Sequence, residues 1–360
     1  MKDDNVKKKN HSTAGLIVLA VVAVLLIAAV LYVSLHYGKN TFISPDQQSV
    51  QQEENANEQI QPEQQPEQQP EQQPEQQPEE IQTQPIVPTA LYATEDESAW
   101  ELELQVYSSG AILIDAETNT VICEKDADAV IYPASMTKIM TALVACENIE
   151  NWDDTYTMTQ DIIDAVYLED LTMAGFLAGE QVNMRDLLFG AILPSGAEAT
   201  TALANYIAGS EEGFVALMNQ KAQELGLESC HFADASGLHN EEHYCTIRDV
   251  AVILQAALEN GMCKEVLSTV NYTSTPTSQN PQGVGMTNKF LALVGLEDLG
   301  GAQILAAKTG YTTQAGNCCA SYGISPNGRA CICVTANALD SQLTIKDHVA
   351  LYSLYADPVE

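Results

Sequence analysis

Four side chains set out what this chain can do. Ser135-Met136-Thr137-Lys138 puts a hydroxyl and an amine three residues apart, Ser195-Gly196-Ala197 supplies a second hydroxyl, and Lys308-Thr309-Gly310 supplies a second amine. A serine hydroxyl is a weak nucleophile until a neighbouring base takes its proton. A lysine becomes such a base when burial or a second cation lowers its pKa. The set describes a serine acyl-transfer enzyme that uses lysine where others use histidine, and this chemistry needs no cofactor and no metal.

Both serines also read as helix N-caps. Lys138 tells against that reading at Ser135. The segment from Ser135 to about residue 149 is apolar on most faces, with Ile139, Met140, Leu143 and Val144 at helical spacing. It predicts a helix through the domain interior. A lysine on the first turn of such a helix is costly to bury unless it has a partner or a role. Positions three apart share a face, so the amine lies against the hydroxyl. The positive end of the helix favours a developing oxyanion.

The elements that must position these groups follow from pattern. Residues 110–115 and 121–125 read as a strand pair around the turn Glu117-Thr118-Asn119-Thr120. Helices are predicted in the segment beginning at Gly179 and running toward Leu193, over 199–208, over 211–225, and from Thr246 onward, with a loop at 232–239. Lys308 falls in or at the end of a strand. Residues 317–323 and 330–336 form a hairpin about Ser325-Pro326-Asn327-Gly328, and 345–355 form a closing helix. Strands at both ends around a helical middle predict an α+β domain: one antiparallel sheet, flanked by helices and carrying a helical lobe.

The 360 residues divide unevenly by composition. Residues 1–13 form a basic, polar tail. Residues 14–37 contain no Asp, Glu, Lys or Arg and are long enough to cross a bilayer, which takes roughly 20 residues as a helix. Lys2, Lys7, Lys8 and Lys9 precede that run, so its N-terminus is expected inside and the remainder outside. The run exceeds the apolar stretch of a cleaved signal peptide, about 7–15 residues, and shows no Ala-x-Ala site. Residues 38–97 are a Gln/Pro/Glu-rich disordered linker in which Pro62, Pro66, Pro70, Pro74 and Pro78 recur every four residues. At about 3.1 Å per residue where it is polyproline II, it reaches on the order of 100 Å or more, as a stalk or as a passive tether. Residues 98–360 are the globular catalytic domain.

A formal net charge of −34 argues against a nucleic-acid partner, whose phosphates would be repelled. The nine cysteines show no C-x-x-C spacing and read mostly as small buried hydrophobes, and an odd count leaves at least one unpaired within the chain. His239-Asn240-Glu241-Glu242-His243 matches a zinc-ligand pattern, yet that pattern needs a helix and this stretch reads as a loop, so its histidines are expected to structure the site rim.

At these residues the chain resembles the low-molecular-mass penicillin-binding proteins, specifically serine-type D-alanyl-D-alanine carboxypeptidases, over about residues 107–355. The resemblance is carried by Tyr132-Pro133-Ala134-Ser135-Met136-Thr137-Lys138-Ile139-Met140-Thr141-Ala142, by Gly237-Leu238-His239 with His243-Tyr244, and by Lys308-Thr309-Gly310-Tyr311-Thr312 with Ala315-Gly316. It implies a transpeptidase/β-lactamase-like fold, a peptidoglycan stem peptide ending in D-Ala-D-Ala as substrate, and penicillins and other β-lactams as covalent inhibitors. It assigns Ser135 as nucleophile, Lys138 as its base, Ser195 as a proton relay, Lys308 and Thr309 as binders of the terminal carboxylate, and the N–H groups of Ser135 and Tyr311 as the oxyanion hole.

The chain departs from the family pattern twice. Ala197 stands where the family has an asparagine, which leaves open a catalytically impaired wall-binding protein. Thr344 falls near a position often held by a carboxylate-binding arginine, which shifts expected carboxylate binding toward Lys308. A β-lactamase or an endopeptidase uses the same nucleophile; no Glu-x-x-x-Asn-like deacylation element lies between Ser135 and Ser195. The chain also leaves no room for the C-terminal β-domain and amphipathic anchor of many relatives, so anchoring is expected to fall to the N-terminal helix.

Overall fold

The computed structural model describes residues 100–101 and 106–356. The apolar run at 14–37 and the linker at 38–97 lie outside the described residues. Among the described residues no helix is long and apolar enough to cross a membrane.

The chain enters through β1 (Trp100–Glu101), β2 (Gly110–Asp115) and β3 (Thr120–Lys125). A short β4 (Val130–Ile131) leads to a 3-10 turn at Ala134–Thr137 and then to α1 (Lys138–Asn148). The middle is helical: α2 (Gln160–Leu168), α3 (Met184–Ile192), α4 (Ala197–Ala208), α5 (Glu211–Glu224), α6 (Ile247–Glu259) and α7 (Gly261–Ser268). Three two-stranded ribbons trim it. β4 pairs with β7 (Cys245–Thr246), β5 (Thr155–Thr157) with β6 (Gln181–Asn183), and β8 (Asn271–Thr273) with β9 (Gly285–Thr287). After α8 (Lys289–Val294) the chain returns through β10 (Gln303–Thr312), β11 (Gly316–Ile324) and β12 (Ala330–Ala338), then closes with α9 (Ser341–Ala350) and a π-turn at Leu351–Tyr355.

The six-stranded sheet has the order β1-β3-β2-β12-β11-β10, so both chain ends build it and β12 joins them by pairing with β2. Every pairing is antiparallel except that of the edge strand β1, which runs parallel to β3. Successive residues of β2 face opposite sides: Ile112 and Ile114 join the large core under the helical lobe, while Ala111 and Leu113 join a second core beneath Leu351 and Tyr352. A central strand covered on both faces has no polar side to show, which is why β2 and β12 are apolar with little alternation.

Most expected elements are present with shifted ends, but Gln181–Asn183, expected within a helical segment from Gly179, is strand β6, and α3 starts only at Met184 because Asn183 caps it by accepting from Asp186 N–H. The interior helix begins as a 3-10 turn and becomes α-helical only at Lys138. The closing helix starts at Ser341, four residues before the pattern indicated, because Asp340 caps it by accepting from Leu343 N–H. The Ser325–Gly328 turn closes as expected, with Gly328 at φ 88°. All nine cysteines are free thiols, and Cys123, Cys318, Cys319, Cys331 and Cys333 serve as small buried residues of the sheet.

Two close approaches seat the sheet and a loop against the 3-10 turn. A Cβ on Gly310 of β10 would stand 2.7 Å from the Pro133 carbonyl oxygen, and a Cβ on Gly237 would stand 1.9 Å from that of Ala134. Gly237 also sits at φ +85°. Gly237→Ala is therefore expected to cost more than about 2 kcal/mol in thermal or denaturant unfolding. Gly261→Ala, at a position with nothing within 4 Å of the added carbon, is the matched control and is expected to change stability little.

Candidate active site

Ser135 lies inside the 3-10 turn and its side chain makes no cap, which overturns the N-cap reading. In a 3-10 turn residues i and i+3 eclipse each other. That places Lys138 Nζ 3.2 Å from Ser135 Oγ, to which it donates, and 2.5 Å from the carbonyl oxygen of Ser236. Lys138 is 2% exposed. Burial lowers its pKa to about 8, against the pull of Asp234, Glu198 and Glu211.

The second pair repeats the arrangement from distant parts of the chain. Lys308 Nζ donates to Ser195 Oγ at 3.0 Å and to the Thr309 carbonyl at 2.9 Å. It is 3% exposed, and burial, with Lys138 close by, holds its pKa well below the usual lysine range. Ser195 precedes α4, whose N-cap position is Gly196 and carries no side-chain cap, so the cap reading fails here as well. Ala134 and Ser195, one beside and one at a reactive hydroxyl, both lie in the left-handed region, at φ 48° and 69°. Such residues cost about 1–3 kcal/mol each, and they persist where surrounding structure over-determines them.

A cleft of about 350 Å³ opens over both hydroxyls, and Thr309 and Tyr311 line it from β10. Lys138 and Lys308 stand behind its wall. All six residues singled out from sequence thus converge, as two hydroxyl–amine pairs and two wall residues. Another cavity of about 330 Å³ lies near Val130 and Ile247 and holds neither pair.

Ala197 is buried at the first turn of α4, and its N–H donates to the Thr172 carbonyl. Its methyl brings no polar atom to the site. Glu198, next in the chain, is buried; its Oε1 accepts from the N–H of Ala174 and Gly175 at 2.7 and 2.8 Å, and so ties down the loop that carries Thr172. Burial raises its pKa despite those bonds.

Sequence reasoning passed over the loop behind Lys138. Asp234 Oδ1 accepts from the N–H of Ser236, Gly237 and Leu238 at 2.7, 2.6 and 3.2 Å. Its Oδ2 lies 3.1 Å from His243 Nδ1, and His243 Nε2 lies 2.8 Å from Thr137 Oγ1. Burial works against this carboxylate, yet His243 and the backbone donors hold its pKa down at about 2. Asp234 thereby fixes the Ser236 carbonyl that receives Lys138. The signal was present as Asp-x-Ser-Gly, since an aspartate two residues before such a turn bonds the backbone ahead of it. Among the described residues no group of three His, Cys, Asp or Glu side chains is placed to hold a metal; His243 is spent on Asp234 and Thr137, and His239 stands edge-on to Tyr132.

Residues 95–339 match the Peptidase_S11 model, described as D-alanyl-D-alanine carboxypeptidase, and the chain belongs to that family. It is 31% identical over 232 residues to the D-alanyl-D-alanine carboxypeptidase DacF of Bacillus subtilis, covering 63% of this chain and 57% of that protein. It is 33% identical over 179 residues to DacC of Escherichia coli, covering 48% of this chain and 44% of the relative. The chain therefore spans about half the length of these curated relatives. The crystal structure of a Streptomyces DD-transpeptidase superposes with a TM-score of 0.63 at 26% identity, covering 69% of this chain and 96% of that one.

Asp234 is the first of the carboxylates holding the Lys138 amine up. In an NMR titration of lysine side chains, Lys138 is expected to titrate near pH 8, and Asp234→Asn is expected to move that midpoint downward. An unmoved midpoint would show that the carboxylate does not act on the amine.

Proposed function

We propose that this protein is a serine-type D-alanyl-D-alanine carboxypeptidase that removes the terminal D-Ala from peptidoglycan stem peptides, and that penicillins and other β-lactams acylate it at the same serine. One observation carries this reading: a buried amine, Lys138, held 3.2 Å from the hydroxyl of Ser135 on the floor of an open cleft. The family supports the substrate class.

Ser135 Oγ attacks the carbonyl carbon of the penultimate D-Ala as Lys138 Nζ takes its proton. An amine with a pKa of about 8 holds no proton in a useful fraction of molecules near neutrality, whereas an ordinary lysine almost never lacks one. The carbonyl oxygen becomes an oxyanion, received by the N–H groups of Ser135 and Tyr311. The seating of Gly310 against Ser135 N supports this placement, because it brings the next residue of β10 to the nucleophile. Each such donor is worth roughly 3–4 kcal/mol in acyl-transfer enzymes. Ser195, hydrogen-bonded to Lys308, relays the proton that Lys138 took to the departing amine as the C–N bond breaks, which leaves Lys138 neutral again. Water, activated by the same lysine, then attacks the ester and frees the shortened peptide. Residues 14–37 anchor the protein in the cell membrane with the catalytic domain outside, a reading that rests on their composition and on the lysines before them.

Ala197 favours a second reading, a wall-binding protein that acylates and stalls. Fluorescent penicillin labelling and D-Ala release from a pentapeptide separate the two. Wild type is expected to label and release, and Ser135→Ala to do neither. Labelling without release would establish the stalled form, and no labelling would sink the proposal. The acylation rate is expected to rise with pH through about 8, since Lys138 works only after losing its proton. A flat profile from pH 6 to 9 would remove Lys138 as the base.

A further inference from the structure

Among the described residues, Lys289 is the only charged side chain lining the cleft, in a chain whose net charge is −34. Among the described residues no aspartate or glutamate lines the cleft. Lys289 is exposed and makes no ion pair or hydrogen bond through its ammonium among the described residues.

Two other groups at the cleft that could meet an anion are already engaged. Lys308 spends its amine on Ser195 and the Thr309 carbonyl, is buried, and stands behind the cleft wall. Thr344 donates its hydroxyl proton to the Asp340 carbonyl at 3.3 Å and has none left for an anion. Carboxylate binding by Lys308, expected from sequence, would draw on an amine that already holds Ser195 and the Thr309 carbonyl.

Lys289 is also held in register with the reactive strand. Asn288, immediately before it, is buried; it caps α8 by accepting from Leu291 N–H and donates its Nδ2 to the Ala307 carbonyl of β10 at 2.9 Å. Ala307 adjoins Lys308, so the base of Lys289 is fixed to the strand that carries Lys308, Thr309 and Tyr311. Phe290, buried, pins the following residue.

We propose that Lys289 is a specificity-determining residue, the cation at the cleft rim that binds the free carboxylate at the C-terminus of the substrate. The inference rests on the carboxypeptidase reading, because a carboxypeptidase must recognise a chain end. A point charge on a mobile stem suits this role: it draws the anion in and makes a charge-assisted hydrogen bond without taking part in bond breaking.

The test uses the full chain carrying Ser135→Ala, so that binding is measured without turnover. Dissociation constants are taken for a peptide ending in D-Ala-D-Ala as the free acid and as its C-terminal amide, with and without Lys289→Met. Lys289→Met is expected to weaken the free acid about three- to tenfold and to leave the amide unchanged, with the loss shrinking at high salt. Lys289→Arg is expected to restore the preference and Lys289→Glu to deepen the loss. With Ser135 in place, the same variants are expected to raise KM and leave kcat near wild type. Equal binding losses for acid and amide, or none for either, would overturn the inference. Absence of D-Ala release by the wild-type protein would overturn the carboxypeptidase reading instead, and the binding comparison would still decide Lys289.

Discussion

Two lysine amines held out of water beside two serine hydroxyls are the constraint the rest of this molecule serves. An ammonium loses several kcal/mol of hydration on burial, so a protein that buries one must pair it, neutralise it or do both. Here both lysines remain hydrogen-bonded, each to a hydroxyl and to a backbone carbonyl. Burial depresses both, and their nearness depresses Lys308 further. The same desolvation that makes the arrangement costly is what turns an ordinary lysine into a base near neutral pH.

The scaffold absorbs that cost through connections that each do two things. Asp234 ties three backbone N–H groups into a turn and presents the Ser236 carbonyl to Lys138, while His243 bridges the aspartate to Thr137 on the nucleophile turn. Glycines at 237 and 310 let a loop and a strand press on that turn from separate directions, where any side chain would collide with backbone. Under that pressure Ala134 and Ser195 keep backbone conformations that isolated residues avoid. A turn gripped in this way gives the nucleophile little freedom to reorient, and geometric constancy is worth much in a reaction whose attacking atom must arrive along one direction.

The replacement of an amide by Ala197 is read in the same light. That position now supplies only a buried methyl and a backbone N–H, and the polar duty at the start of α4 falls to its neighbour Glu198, which faces the loop rather than the cleft. Both hydroxyl–amine pairs nevertheless stay intact, so the departure leaves the surroundings of Ser135 and Ser195 in place. Lys289 stands in a cleft whose described lining carries no carboxylate, in a chain whose net charge is −34.

Local rules were enough to reveal the chemistry and most of the elements. The three-residue spacing of Ser135 and Lys138 is a property of any tight helical turn, the Ser-Pro-Asn-Gly turn declares its hairpin, and the apolar character of β2 and β12 declares strands covered on both sides. Shifts at helix ends came from caps such as Asp340, whose effect depends on a single hydrogen bond. What pattern could not decide was long-range. Ser195 and Lys308 are 113 residues apart and meet only because β10 lies at the sheet edge beside the nucleophile turn. The partners of Asp234 and the cleft that Lys289 lines are assembled from segments that no local period connects. Sequence sets which groups are available and how neighbours along the chain are oriented; only the closing of the sheet by strands from both chain ends determines which of those groups share a desolvated space, and it is desolvation that makes them reactive.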